Sequence, residues 1–342
     1  MIGIGLLGFG YWGPNLARCI CEAEGCRLAG IADPDADSLA RAGRRYPMAK
    51  LATDWRSVVT DSDVDAVVVA TPVRAHHELA AAAIAAGKHV LVEKPMTSTV
   101  EQAQALIDAA DRAGVVLMVD HTFVYTPAVQ KIGEIVRSGD LGQVYYYDSV
   151  RVNLGLFQSD VNVVWDLAVH DLAILRFILD DHPVAVSATG SSHVPGSPEN
   201  MAHVTLYYAN GTNAHLSVNW LAPVKVRQTL VGGSRKMIIY DDLEPSEKIK
   251  VYDRGIRVSG SAEEIRDARV SYRMGDMWAP CLGTKEALLT EIEHFVACIS
   301  EGTAPLTDGQ MGLGVVETLE AAGRSMRRRG QPIELQQLRR AS

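Results

Sequence analysis

No apolar run in this 342-residue chain reaches the ~20 residues that would cross a bilayer, so nothing in it reads as a membrane span. Positive charge is in short supply. Lys and Arg total 33 against 41 Asp and Glu, for a formal net charge of −8. That balance argues against nucleic acid or an anionic membrane as a general partner. The one basic cluster, Arg324-Ser325-Met326-Arg327-Arg328-Arg329, suits a solvated helix end whose cations favour the dipole. The five cysteines form no C-x-x-C, which leaves neither a zinc-ligand set nor a disulfide framework and fits a reducing compartment. The first residues read as a strand, with no charged n-region or cleavage site, so no secretory signal is expected and the cytoplasm is. Internal repeats and low-complexity tracts are also lacking. What is present is ordinary for a globular protein, 47% hydrophobic and 22% charged, in a chain long enough for two domains.

The chain is organised around its first 33 residues. The apolar run MIGIGLLG suits a buried strand, and Gly8-Phe9-Gly10-Tyr11-Trp12-Gly13 leads directly into the helical pattern Pro14–Ile20. A second apolar run, Cys26–Ala32, ends on Asp33. This is G-x-G-x-x-G between strand and helix, with an acid about 20 positions on. Gly8 allows the tight turn, Gly10 lets a pyrophosphate approach the backbone, and Gly13 lets helix and strand pack closely. The helix start offers unpaired N–H groups and a positive dipole end. Asp33 can accept from both ribose hydroxyls and repels a 2′-phosphate, which favours NAD over NADP.

Strands and helices then alternate to about residue 120. Asp65–Ala70 is an apolar run of the kind buried on both faces of a parallel sheet, ending at Thr71-Pro72. Ala75–Gly87 is an Ala-rich helix carrying His76. His89–Glu93 is another strand, ending in Glu93-Lys94-Pro95, and Val115–Val119 is followed by Asp120-His121. Ser98-Thr99-Val100-Glu101 and Thr307-Asp308-Gly309-Gln310 read as capping boxes. The pattern predicts a doubly wound parallel sheet over 1–121. Ligands bind at the C-terminal strand ends of such sheets. The expected cofactor contacts are therefore Gly8, Phe9, Gly10, Tyr11, Trp12, Gly13 and Asp33, with Thr71, Pro72, His76, Glu93, Lys94 and His121.

After 121 the pattern changes. Thr126–Ser138 and Val163–Leu179 read as helices. Gly142–Asn153, Ala185–His193, Met201–Ala209 and Thr212–Leu221 read as strands, the last two joined by the hairpin turn Asn210-Gly211. Gln228–Val231 and Lys236–Asp241 continue the meander, 254–282 is expected as an excursion, and Lys285–Ser300 and Asp308–Arg328 are closing helices. Residues 122–342 thus form an α+β domain with a large, mostly antiparallel open sheet. Its closing helices are free to pack back on the first domain, and its sheet is a candidate subunit interface.

Two groups carry candidate chemistry. A lysine near a strand end is ordinarily a solvated surface residue. Lys94, however, ends a buried strand at the ligand edge, where a partly desolvated ammonium can donate to a substrate hydroxyl or carbonyl. In Trp165-Asp166-Leu167-Ala168-Val169-His170-Asp171, Asp166 and His170 are i, i+4 and share a helix face. A carboxylate beside an imidazole fixes its tautomer and stabilises the imidazolium, which makes a general base. Asp171 is expected at the solvent or on the helix flank. Further pocket candidates are His121, Tyr125, Arg151 and Asn153. His193, His203 and His215 are expected to be structural. No metal site is indicated.

With these motifs in this order and spacing, the chain resembles the Gfo/Idh/MocA family of sugar and cyclitol oxidoreductases along its whole length, including Glu293-His294-Phe295 and Thr307-Asp308-Gly309. Gly10–Leu16 also looks like members acting on nucleotide-linked sugars or antibiotic sugar precursors. The resemblance implies that Lys94 and His170 act on the reacting hydroxyl, with His170 as base and Asp166 as its partner or a substrate contact. It also implies hydride passage between a sugar carbon and nicotinamide, a cis peptide before Pro95, and a homodimer or homotetramer formed through the open sheet. One departure is Asn162-Val163-Val164-Trp165, where many relatives are Gly-rich; Trp165 there is placed to narrow the pocket or stack on a sugar face. The expected activity is NAD-dependent oxidation of a secondary hydroxyl of a carbohydrate or cyclitol. An NADPH-dependent ketoreductase, an NAD-dependent glycosidase and a non-catalytic sugar-binding regulator stay open as alternatives on the same fold.

Overall fold

The structure, a computed structural model, describes residues 1–155, 161–253, 255–258, 270–273 and 275–335. Strands and helices alternate from the start: β1 (Ile2–Leu7), α1 (Gly13–Glu22), β2 (Cys26–Ala32), α2 (Ala36–Arg45), β3 (Lys50–Ala52), α3 (Arg56–Val59), β4 (Ala66–Val69), α4 (Val73–Ala85), β5 (His89–Glu93), α5 (Val100–Ala113) and β6 (Leu117–Asp120). The six strands are parallel, in the order β3-β2-β1-β4-β5-β6. This is the doubly wound order, whose ligand crevice lies where β1 neighbours β4. The apolar strands read from sequence are the ones buried on both faces: all four residues of β4 and Val90–Val92 of β5 lie in the core.

Both helix caps fall one residue later than the expected boxes. At α5 the Thr99 hydroxyl, not that of Ser98, accepts from Gln102 N–H, and Gln102 Oε1 accepts from Ser98 N–H in return. The residue three after the cap is therefore Gln102 rather than Glu101. Near 307, Asp308 Oδ1 accepts from Met311 N–H, while the Thr307 hydroxyl donates to Val119 O at 2.7 Å.

A short 3₁₀ turn, Thr122–Tyr125, leads to α6 (Pro127–Arg137) and β7 (Val144–Leu154). The helix read over Val163–Leu179 is there, but it opens with a π-helical turn, Val164–Ala168, before α7 (Val169–Leu179). Then come β8 (Pro183–Ser191), β9 (Met201–Tyr208), β10 (Asn213–Asn219), β11 (Leu221–Gly233), β12 (Met237–Asp241) and β13 (Ile249–Tyr252). Short pieces follow: β14 (Gly255–Val258), β15 (Val270–Arg273) and β16 (Met277–Trp278), then helices α8 (Ala287–Glu301) and α9 (Gly309–Arg327), and β17 (Ile333–Glu334). Much of the excursion expected over 254–282 lies outside the described residues; β14 and β15 pair with each other as a two-stranded sheet.

The large sheet has nine strands, in the order β16-β13-β12-β11-β7-β10-β9-β8-β17. It is mostly antiparallel, with β7 and β10 paired in parallel. Asn210-Gly211 does sit in the β9–β10 hairpin, with Gly211 at φ +86°. Alternation along β9 and β10 buries Ala202, Val204, Leu206, Ala214, Leu216 and Val218 on one face, as a half-buried sheet requires.

By internal contacts the chain forms two compact units, Met1–Thr126 with Lys285–Glu317 and Pro127–Thr284 with Thr318–Ser342. A division at 121/122 follows the change in strand pattern. Packing instead returns α8 to the first unit, where it lies against α1 and the 122–125 turn with Leu288, Ile292 and Phe295 buried. No helix among the described residues is long and apolar enough to cross a membrane.

Candidate active site

In the first unit the turn after β1 is built around glycine. Gly8 has φ +99°, and a Cβ there would stand 2.4 Å from Ala70 O. A Cβ on Gly13 would stand 2.5 Å from Gly8 O, so the third glycine keeps the turn closed on itself. Gly10 has open space on its side-chain face. The N-cap position of α1, Trp12, makes no side-chain cap, so no side chain competes there for the first amides of the helix. Tyr11 is 85% exposed at the tip. Phe9 departs from the expected contact set, because its side chain is buried edge-on against Tyr46 and only its backbone faces the turn. Its N–H donates to Asp33 Oδ2 at 2.6 Å, while Asp35 N–H donates to Oδ1 at 2.8 Å. The Asp33 carboxylate is thus locked by backbone donors at the end of β2, with lone pairs left for ribose hydroxyls. These residues fit a dinucleotide: open backbone at Gly10, uncapped amides for the pyrophosphate, and a fixed anion for the ribose.

The loops after β4 and β5 are tied together by His76. Its buried ring lies between Thr71 O, 2.7 Å from Nε2, and Pro95 O, 2.9 Å from Nδ1. Burial pushes its pKa down against the upward pull of these two carbonyls; a neutral ring donates to only one of them, and with both nitrogens turned to the loops the ring is not offered to a cofactor. That corrects its place in the expected contact set. Pro72 caps the start of α4.

At the end of β5 the Lys94–Pro95 peptide is cis, and Lys94 N–H donates to the Glu93 carboxyl at 3.0 Å. Glu93 is the register partner of Asp120 on β6. Asp120 Oδ1 accepts from the Thr122 hydroxyl. On α8, Glu291 is fully buried beside Asp120 and Thr122, with no hydrogen-bond partner for either carboxyl oxygen among the described residues. Burial first, and Asp120 second, push both Glu93 and Glu291 well above the usual carboxylate range. His121 is buried with no hydrogen-bond partner among the described residues. Burial, and then the charge of Lys94, push its pKa down to about 3, so it stays a neutral ring beside the lysine. Tyr125 is not placed as a sugar contact: it is buried under α8, its hydroxyl 3.1 Å from Thr307 Oγ1 and its ring 5.6 Å from that of His294.

The second unit holds the other candidate group. Asn162 Oδ1 accepts from Val164 and Trp165 N–H at 3.1 and 3.3 Å and so starts the π turn. Such turns re-aim side chains and recur at functional sites. Within it, Asp166 Oδ2 accepts from the indole of Trp220 at 3.0 Å. Trp220 is fully buried between β10 and β11. Asp166 and His170 are both half-buried. Trp165 lines a pocket with Leu319, Glu320, Gly323, Arg324 and Arg327. Asn153 is half-buried near the end of β7.

Asp171 is the clearest correction. It is 0% exposed, not on the solvent flank. Its carboxylate accepts from Arg151 Nε at 2.8 Å, Ser149 Oγ at 2.8 Å and Tyr147 Oη at 3.1 Å. Arg151 is therefore a partner in a buried ion pair rather than an open pocket donor. Burial and Asp171 push the Tyr147 hydroxyl up, which keeps it a donor. Sequence reasoning missed Trp220, Glu291 and the inward face of Asp171. The available signal was an acid set in an apolar helical run, as in Ala287-Leu288-Leu289-Thr290-Glu291-Ile292 and Asp171-Leu172-Ala173-Ile174.

Comparison with known proteins agrees with this geometry. A family model described as oxidoreductase family, NAD-binding Rossmann fold, matches residues 2–121, and one described as the GFO/IDH/MocA C-terminal domain matches residues 129–239. The chain is similar to a D-apiose dehydrogenase of Paraburkholderia graminis, 26% identical with 97% of this chain and 89% of the relative covered. It is also similar to a UDP-N-acetylglucosamine 3-dehydrogenase of Acidithiobacillus ferrooxidans, 28% identical with 91% and 93% covered. A solved structure of that A. ferrooxidans enzyme superposes with a TM-score of 0.81 at 26% identity, covering 95% of this chain and 98% of that one.

Proposed function

The chain belongs to the GFO/IDH/MocA family of NAD-binding oxidoreductases, and from that premise we propose that it oxidises a secondary hydroxyl of a sugar, amino sugar, nucleotide-linked sugar or cyclitol to a ketone. The observation that carries the reading is Asp166, held by the Trp220 indole in a π turn four residues before His170. A carboxylate fixed in place on a base-bearing helix is a costly arrangement for a purely structural surface. The relatives named above are, by name, dehydrogenases of a free sugar and of a nucleotide-linked amino sugar.

When bound, the nicotinamide supplies the hydride acceptor. The chain supplies position and proton traffic. Gly8–Gly13 and the start of α1 would hold the pyrophosphate, and Asp33 the ribose. His170 takes the hydroxyl proton and Asp166 stabilises the imidazolium, while the Lys94 ammonium donates to a substrate oxygen. The test offers NAD and NADP with free sugars, inositols, amino sugars, sugar phosphates and UDP-sugars, following NADH absorbance. NADH formation with one class is expected. No turnover in either direction, with NAD still raising the melting temperature, would move the chain to a binding role.

Cofactor choice gives a second test. Asp33→Asn removes the charge but keeps one acceptor for Phe9 N–H. It is expected to raise the NADP/NAD preference about tenfold, a shift of about 1.4 kcal/mol in relative affinity. Unchanged preference would take Asp33 out of the ribose site.

We also propose that the outward face of the nine-stranded sheet joins copies of the chain. Val150 on β7 is 40% exposed there, with its parallel partner Ser217 on β10 and the neighbouring Asp148–His215 contact of 2.9 Å. Light scattering is expected to show a dimer or tetramer, and Val150→Arg to shift it towards the monomer mass. An unshifted mass removes this face from the interface.

A further inference from the structure

Three carboxyl groups meet under the end of β5: Glu93, Asp120 and Glu291. Asp120 is 2% exposed and Glu291 0%. They come from separate elements: β5, β6 and α8. Asp120 is the common acceptor. It takes the Thr122 hydroxyl, is the register partner of Glu93 on the neighbouring strand, and is flanked by buried Glu291. Buried carboxyls side by side can pair only through a shared proton, because a carboxylate has no donor of its own. The oxygens left without any other donor are Glu93 Oε1, Asp120 Oδ2 and both oxygens of Glu291. Two protons, one on each glutamate and aimed at Asp120, leave the cluster at one net negative charge and give each glutamate a donor towards Asp120. The other oxygen of Glu93 then accepts Lys94 N–H at 3.0 Å. With those protons in place, a path of carboxyls runs from α8 to the backbone of the lysine.

We infer that Glu291 is a positioning residue for Lys94, acting through Asp120 and Glu93 by shared carboxyl protons. This rests on the reading above that Lys94 serves the reacting hydroxyl. Glu291 donates to Asp120, which fixes Asp120 to receive the Glu93 proton, which fixes the carboxyl that holds the Lys94 amide. The groups facing the cluster are Lys94 just after β5, Thr122 and Tyr125 from the turn after β6, and Cys19 from α1. Of these Lys94 is the cation, so an extra ionised carboxyl would meet it directly.

The experiment compares Glu291→Leu with Glu291→Gln. Leucine fills the buried space but cannot donate; glutamine keeps a neutral donor. With the sugar found in the substrate screen, Glu291→Gln is expected to keep kcat within about threefold, and Glu291→Leu to lower it about ten- to a hundredfold with KM for NAD nearly unchanged, because a small displacement of a reacting group is that costly. A purely packing role predicts the reverse, leucine being at least as good as glutamine, and that result overturns the inference. Infrared spectra supply a readout that needs no turnover. The wild type is expected to show the C=O stretch of protonated carboxyls at neutral pH, weakened in Glu291→Gln. A wild type without that band overturns the inference even if every sugar fails. A band present with no turnover on any sugar faults the proposed activity and leaves the proton sharing standing.

Discussion

His170→Ala is expected to lower kcat about 10²- to 10⁴-fold while leaving NAD affinity close to wild type, the range that a positioned general base contributes. The two effects separate because the residues proposed to hold the dinucleotide lie in Gly8–Gly13 and at Asp33, whereas His170 stands at the start of α7. His170 is half-buried, reachable by substrate yet partly desolvated. Asp166→Asn refines the test. Asparagine keeps an oxygen for the Trp220 indole, so the π turn keeps its anchor, but the negative charge that stabilises the imidazolium is lost. A kcat loss about tenfold or more with an intact fold is expected, since a wrong tautomer and an unstabilised imidazolium both slow proton removal. NAD binding is read by NADH or protein fluorescence and turnover by NADH absorbance. Unchanged kcat in His170→Ala would end its assignment as base and return weight to a binding-only protein.

The largest stability effect is expected at Asp171. Asp171→Ala leaves the Arg151 guanidinium buried without its carboxylate and strips the acceptor from Tyr147 and Ser149. Breaking one side of a buried pair costs about 3–5 kcal/mol, more than the pair itself contributes over an apolar replacement. Thermal unfolding is expected to fall by roughly 10 °C, on the scale of a few degrees per kcal/mol for a unit of this size. The paired change Asp171→Leu with Arg151→Met removes both charges together, and should recover most of the loss. If Asp171→Ala melts like the wild type, the ion pair is not formed in solution. If the double variant is worse than the single one, polar satisfaction rather than charge pairing dominates the site.

These two positions show where sequence reasoning works and where it stops. Both lie on one apolar helix, and the helix itself was legible. Yet Asp171 points into the core and Asp166 towards a tryptophan 54 residues away. Helical spacing put Asp166 and His170 on a common face; the π turn that aims Asp166 carries no mark in the periodicity. The capping boxes were read one residue early because Ser98 and Thr99 are adjacent hydroxyls with similar cap preference, and only the path of the chain selects between them.

By itself the sequence determined the alternation of strand and helix, the parallel core strands, the glycine turn with Asp33, the antiparallel character of the second sheet and the family. Those features are written in short-range patterns: periodicities of 2 and 3.6, glycine where the backbone turns back on itself, and caps within four residues. Tertiary structure alone decided which polar groups are buried and with whom: Asp171 with Arg151, Asp166 with Trp220, His76 between two loops, Glu291 with Asp120. The reason is desolvation. A buried charge or polar atom must find its partner wherever packing brings one, and that partner is set by how the elements stack, not by what stands nearby in the chain.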